Sequence, residues 1–356
     1  MKGRTTLREI LQEHTIDAAA ELVCAEADGS VHCAVCGHRC HIRPGKSGRC
    51  LVRYNADGRL RVPGGYVSGL AVDPIEKKPF YHVLPGREAL SYGMLGCNFH
   101  CRFCQNWVTS QALRDDRAGT PPSQFCTPEQ IVQAALDNRV PIITSTYNEP
   151  LITSEWSMEI FRLASAEGIL CGYVSNGHGT PEVLAYLRPH MELFNIDLKC
   201  FDADKYKELG GRFEAVTETI RQAHAMGFWI EVITLVVPEF NDSDDELRRT
   251  ANFIASVSPD IPWHCTAYRP MYKVTEPGAT PPATLARAYE HGKAAGLKHV
   301  YSGNLPGLVG ETEHTYCPSC GARLVERRGF YVSACRLQEN ACPDCGTTVA
   351  GRFGSA

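Results

Sequence analysis

Neither sign of charge dominates this chain. Its 36 Lys and Arg against 40 Asp and Glu leave a net charge of −4 over 356 residues, too balanced to give an electrostatic footprint for nucleic acid or an anionic membrane. Long apolar runs are missing too. The longest, Phe228–Val237, contains Glu231 and is about half the length of a membrane helix, so no membrane partner is expected. Met1–Glu9 lacks the apolar core of a signal peptide, which predicts a cytoplasmic protein. Cysteine is the exception, with seventeen residues. That density falls short of a disulfide scaffold, and a chain of this length buries a core without one. With no export signal, clustered cysteines read as metal sites in a reducing compartment.

Three cysteine groups divide the chain. Cys97, Cys101 and Cys104 lie in Gly96-Cys97-Asn98-Phe99-His100-Cys101-Arg102-Phe103-Cys104, just after the apolar stretch Leu90–Leu95, and no fourth cysteine follows in the loop. Three thiolates occupy three irons of a four-iron, four-sulfur cluster and leave the last open to a non-protein ligand. A closed zinc site wants four protein ligands. The bland alternative is three buried cysteines without metal, packed as small hydrophobes. Ahead of this loop, Cys33, Cys36, Cys40 and Cys50 fall within eighteen residues among several glycines, a second metal site in which spacing does not separate zinc from iron–sulfur. The third group pairs Cys317-Pro318-Ser319-Cys320-Gly321 with Cys342-Pro343-Asp344-Cys345-Gly346, 21 residues separating the two knuckles. This is a zinc-ribbon or rubredoxin-like pattern, with zinc the default and a single iron the alternative.

The chain is accordingly divided into a cysteine-rich region over 1–62, a connector over 63–89, a catalytic domain over 90–305 and a ribbon-like tail over 306–356. In the first, Leu51–Tyr54 and Leu60–Val62 flank Asn55-Ala56-Asp57-Gly58, a hairpin signal. The prolines of Asp73–His82 predict an ordered connector with no regular strand or helix. Beyond it, apolar runs at Leu90–Leu95, Ile142–Tyr147, Leu170–Ser175, Leu193–Leu198, Trp229–Val237, Trp263–Tyr268 and His299–Tyr301 predict strands. Thr127-Pro128-Glu129-Gln130, Thr180-Pro181-Glu182 and Asp242–Glu246 signal helix starts between them. The alternation implies an α/β fold with a parallel sheet, open or barrel-like, whose chemistry collects where strands end.

Polar clusters do sit at those ends, and they carry a resemblance. Residues 90–304 resemble the radical S-adenosylmethionine (SAM) superfamily, in the branch of the pyruvate formate-lyase activating enzymes. Phe103 corresponds to an aromatic position near the cofactor's adenine. Thr146-Tyr147-Asn148-Glu149-Pro150 stands in place of the family's Gly-Gly-Glu, with Asn148 and Glu149 as candidates for the cofactor's amino group. Ser175-Asn176-Gly177 is similar to Thr-Asn-Gly, Asp197-Leu198-Lys199 to Asp-x-Lys, Val236-Val237-Pro238 with Asn241-Asp242 to the fifth motif, and His264 to the histidine of the sixth. Val174 stands where the activases carry an acidic residue. Nearly end to end, including Asp73–Pro79, Pro262–His264 and both terminal cysteine groups, the chain resembles the AmmeMemoRadiSam radical enzymes. The resemblance implies a partial (β/α)6 TIM-like barrel with an N-terminal cysteine-rich cap and a zinc-ribbon-like tail. It also implies a 4Fe–4S cluster on Cys97, Cys101 and Cys104, SAM as cofactor, a reductant such as flavodoxin or ferredoxin, and a 5′-deoxyadenosyl radical that abstracts hydrogen from a protein or peptide substrate. Two other readings remain at this point: an assembly or electron-transfer protein that does not cleave SAM, and a tRNA-modifying radical enzyme.

Overall fold

The computed structural model describes residues 7–354. Its centre is one eight-stranded sheet with strictly sequential order. We label the strands β1 (Gly69–Pro74), β2 (Glu88–Gly93), β3 (Ile142–Ser145), β4 (Leu170–Ser175), β5 (Leu193–Asp197), β6 (Trp229–Val236), β7 (Trp263–Ala267) and β8 (Val300–Gly303). From β2 onward every pairing is parallel, with Ile143 beside Leu90, Gly172 beside Leu193 and Ile233 beside His264. Edges β1 and β8 do not pair with each other, so the sheet is open and not a closed barrel. Strands β3 and β7 are buried along their whole length, as expected of parallel strands covered on both faces.

Helices make the crossovers: α1 (Pro128–Asp137), α2 (Ser154–Ala166), α3 (Pro181–Leu187), α4 (Ala203–Glu208) with α5 (Phe213–Ala225), α6 (Asp244–Val257) and α7 (Pro282–Ala294). Their starts follow the expected chemistry. Thr127 and Gln130 form a reciprocal capping box on α1, Thr180 caps α3 through Val183 N–H, and Ser243 caps α6 through Glu246 N–H. Each supplies an acceptor to an amide that the helix itself leaves unpaired.

The connector departs from expectation. Gly69–Pro74 forms β1, antiparallel to β2. Pro74 is tolerated because it is the last residue of an edge strand, where a missing N–H breaks no ladder. The segment that follows fills the base of the sheet. The amides of Tyr81 and His82 donate to the two oxygens of Glu231 at 2.9 Å each, Asn195 Nδ2 donates to Pro79 O at 2.7 Å, and His82 Nε2 meets Tyr301 Oη at 2.6 Å.

Small antiparallel sheets flank this core. Tyr54–Ala56 pairs with Arg59–Pro63 around a two-residue Asp57-Gly58 turn, both at positive φ, which is tighter than the four-residue loop expected and is the twist-compatible hairpin connection. Arg53 ties this region to α2 by a two-pronged ion pair with Glu155, at 2.6 and 2.7 Å, with both side chains buried. At the other end Thr315–Tyr316, Arg323–Arg328 and Tyr331–Cys335 form the ribbon. Its Arg327 is fully buried against the connector, donating to Tyr81 O and Thr315 Oγ1 at 2.6 Å each and pairing with Glu76 at 3.4 Å.

Candidate active site

The loop that leaves β2 turns at Gly96, whose φ is +96° and where a Cβ would lie 2.8 Å from Val52. Only glycine fits both demands. Cys97, Cys101 and Cys104 follow, all buried or nearly so. Phe99 N–H points at Cys97 Sγ from 3.3 Å, and Cys104 Sγ lies 3.2 Å from Ser110 Oγ. Phe99 itself packs into the space a side chain at Gly211 would need, which pins the loop to the segment before α5. Burial pushes the Cys101 thiol up to about 12, and burial, then Glu149 and Cys101, push Cys97 well above its usual range. Three thiolates are costly here without a cationic centre to bind them. The donor set therefore fits a cluster.

The neighbouring strand ends converge on this loop. Glu149, after β3, accepts from Ser175 Oγ at 2.7 Å, Asn176 N–H at 2.8 Å and Leu151 N–H at 3.0 Å. Burial raises its carboxyl to about 7 despite these donors. A bound ammonium beside it would restore the charged form. Asn176 Nδ2 donates to Asn98 Oδ1 at 2.7 Å and faces Cys97 Sγ at 3.8 Å. Asn148 acts differently from Glu149. Its Oδ1 accepts Met94 N–H at 2.9 Å, so it braces the exit of β2 against that of β3. From β5, Asp197 Oδ2 holds Lys199 Nζ at 2.9 Å. Burial opposes the Lys199 ammonium, but Asp197 and Cys101 outweigh it, and Lys199 stays charged. Asn241 clamps this exit through Lys199 O, Leu235 O and Val237 N–H. Phe103 is buried against Phe240, with ring centroids 5.3 Å apart.

One expected member is not brought here. His264 is the second residue of β7, at the opposite end of the sheet, where its Nε2 meets Glu231 Oε2 at 2.7 Å and its ring packs edge-on against Tyr81. It closes the base and does not reach the cofactor rim. Three residues were missed. Asn98 and Phe240 have no periodic signal, and only their loop positions beside Cys97 and Asn241 hint at them. Tyr147 occupies a position where the family has glycine and adopts φ +73°, a conformation that glycine takes freely and other residues at a cost of about 1 kcal/mol or more. Its hydroxyl accepts from Lys78 at 3.1 Å, and the ammonium lies 4.9 Å from its ring centre.

The second metal-competent group is the ribbon's. Cys317 and Cys345 sulfurs are 3.6 Å apart, those of Cys320 and Cys342 3.7 Å, and all four lie within 4.8 Å of one another. With metal–sulfur bonds of about 2.3 Å, a tetrahedral ion requires sulfurs about 3.8 Å apart. Gly321 and Gly346 close equivalent knuckles by donating to Cys317 O and Cys342 O. Among the described residues no helix is long and apolar enough to cross a membrane.

The Radical SAM superfamily family model matches residues 92–254. An uncharacterised protein of Methanocaldococcus jannaschii is 38% identical over 327 residues, which are 90% of this chain and 96% of that protein. The pyruvate formate-lyase-activating enzyme of Clostridium pasteurianum is 23% identical over 169 residues, 46% of this chain and 67% of that enzyme. Among solved structures, a radical SAM methyltransferase from Sphaerobacter thermophilus covers 87% of this chain and 81% of its own, at 14% identity and a TM-score of 0.47. The three-cysteine loop and the strand-end polar residues around it lie within the matched segment, and residues 92–254 carry the radical SAM domain of an enzyme related to the pyruvate formate-lyase-activating enzymes.

Proposed function

We propose that this protein is an AmmeMemoRadiSam-type radical enzyme that abstracts a hydrogen atom from a protein or peptide partner. The observation that carries the reading is the convergence of Cys97, Glu149, Ser175, Asn176, Asp197 and Lys199 on one rim. When bound, a reduced cluster supplies the electron that splits SAM into methionine and a 5′-deoxyadenosyl radical. The chain's residues do the positioning. Glu149, held by three donors, would receive the cofactor's ammonium. Asn176 and Ser175 fix that carboxylate, Lys199 on Asp197 offers a cation beside the thiolates, and Phe103 gives the adenine an apolar wall. The macromolecular substrate is inferred from the relative whose name describes activation of another enzyme, and the balanced charge of the chain gives no support to tRNA. The electron donor is a flavodoxin or ferredoxin, and the ribbon holds zinc. Reconstituted, reduced protein incubated with SAM and the products of neighbouring genes tests the substrate. A mass change on one of those proteins, dependent on SAM and on Cys97, supports the reading. Turnover only on a small metabolite or on tRNA refutes it.

A further inference from the structure

A second set of thiols backs directly onto the Cys97 loop. Cys33, Cys36 and Cys50 are each 6% exposed, with Cys40 half-buried, and Cys33 N–H donates to Cys40 O at 3.0 Å. A main-chain amide faces one of the sulfurs, with Arg49 N–H reaching Cys40 Sγ at 3.5 Å. The buried Arg53, its guanidinium fixed on Glu155, accepts Gly48 N–H through its main-chain oxygen at 2.9 Å and so holds the loop that carries Cys50. Such surroundings suit a site that becomes anionic when filled.

Spacing separates the candidate metals. Among the described residues, only the ribbon brings three or more Cys, His or carboxylate ligands within 4.8 Å of one another. The N-terminal cysteines share with those of the Cys97 loop that neither set forms such a single-ion group. A cluster seats each thiolate on a different iron and so holds them further apart.

The two sets share a wall. His38 Nε2 lies 3.1 Å from Asn98 O, Gly37 N–H donates to His178 O at 3.0 Å, and Arg114 bridges Cys97 O and Arg49 O. Asn98 stands between them. Its Oδ1 takes Asn176 Nδ2, while its buried Nδ2 has no hydrogen-bond partner.

We propose that Cys33, Cys36, Cys40 and Cys50 bind a second iron–sulfur cluster, ligated wholly by the protein, that relays single electrons past Asn98 to the cluster on Cys97, Cys101 and Cys104. The relay rests on the reading of the Cys97 loop given above. A low-potential one-electron carrier protein reduces the N-terminal cluster, which is reoxidised as the Cys97 cluster is reduced. No bond or proton changes hands in that step. With no open iron, the N-terminal cluster does not bind SAM.

The test uses full-length protein reconstituted anaerobically with iron and sulfide. The C97A/C101A/C104A variant is expected to keep about four irons and four sulfides per chain, with an electron paramagnetic resonance signal that SAM does not alter. The C36S/C50S variant is expected to hold about half the iron of the parent and to keep the SAM-responsive signal. Its reduction by flavodoxin should slow by roughly tenfold or more while dithionite still reduces it. Zinc without sulfide at the N-terminal site in the first variant overturns the cluster, and unchanged flavodoxin reduction in the second overturns the relay. Failure of the Cys97 reading is distinct, since it removes the SAM-responsive signal from the parent protein.

Discussion

Glu149 illustrates how single residues set this site. Its carboxylate is buried and held by Ser175, Asn176 and Leu151, so a ligand ammonium would meet a pre-oriented partner. Replacing a charge-assisted contact costs about 1.5–3 kcal/mol. Glu149→Gln should therefore weaken SAM binding by roughly 10- to 100-fold, read by calorimetry on the reconstituted protein, with cluster content unchanged. Loss of iron in that variant would instead make Glu149 a folding residue. The three cysteines were legible because their spacing is local and carries its own chemistry. Tyr147 was not, because the residues packed against it, Gly69, Gly93 and Lys78, lie far away in sequence. His264 misled for a related reason. Order along the chain identifies the strand, but only the register shows that its second residue faces the base.

At the scale of elements, the ribbon and the connector are interlocked. Arg327 leaves the ribbon to enter the base of the sheet, where it meets Glu76, Tyr81 O and Thr315 with no exposed surface, and His82 contacts Ala350 O. Removing one partner of a buried ion pair costs about 3–5 kcal/mol, because the other charge is left uncompensated. Arg327→Met should lower stability by about 3 kcal/mol, measured by urea unfolding followed by Trp fluorescence. An unchanged midpoint would mean that the ribbon docks without holding the base. A metal held by Cys317, Cys320, Cys342 and Cys345 would supply folding energy to the ribbon. Chelation, or Cys342→Ser, should consequently expose the tail to protease and also lower the melting temperature of the sheet domain, followed by circular dichroism; a melting temperature that does not move would uncouple the two. The parallel strands were readable because burial on both faces makes them continuous apolar runs. Edge strand β1 was not. It is only half-buried and ends in Pro74, so neither periodicity nor composition marks it.

The whole molecule carries a pH dependence that follows from three buried histidines. Burial pulls His178 and His299 down to about 3, and His82 lies well below its ordinary value of 6.5, with His299 adding to the effect. All three stay neutral in the folded protein, whereas an unfolded histidine takes up a proton near 6.5. Between those values the unfolded chain binds more protons, so stability is fully present above about pH 6.5 and falls as pH drops below it. The urea midpoint should fall between pH 7.5 and 5.5 at constant metal content, and His299→Phe should make that dependence shallower. Identical slopes in the two proteins would contradict the assignment.

SAM cleavage at the Cys97 loop is the claim on which the functional account depends. Parent protein, reconstituted anaerobically, reduced with dithionite and given SAM, is predicted to release 5′-deoxyadenosine and methionine in equal amounts, while the Cys97, Cys101 and Cys104 triple alanine variant releases neither. Equal yields of 5′-deoxyadenosine from the parent and the variant would contradict it.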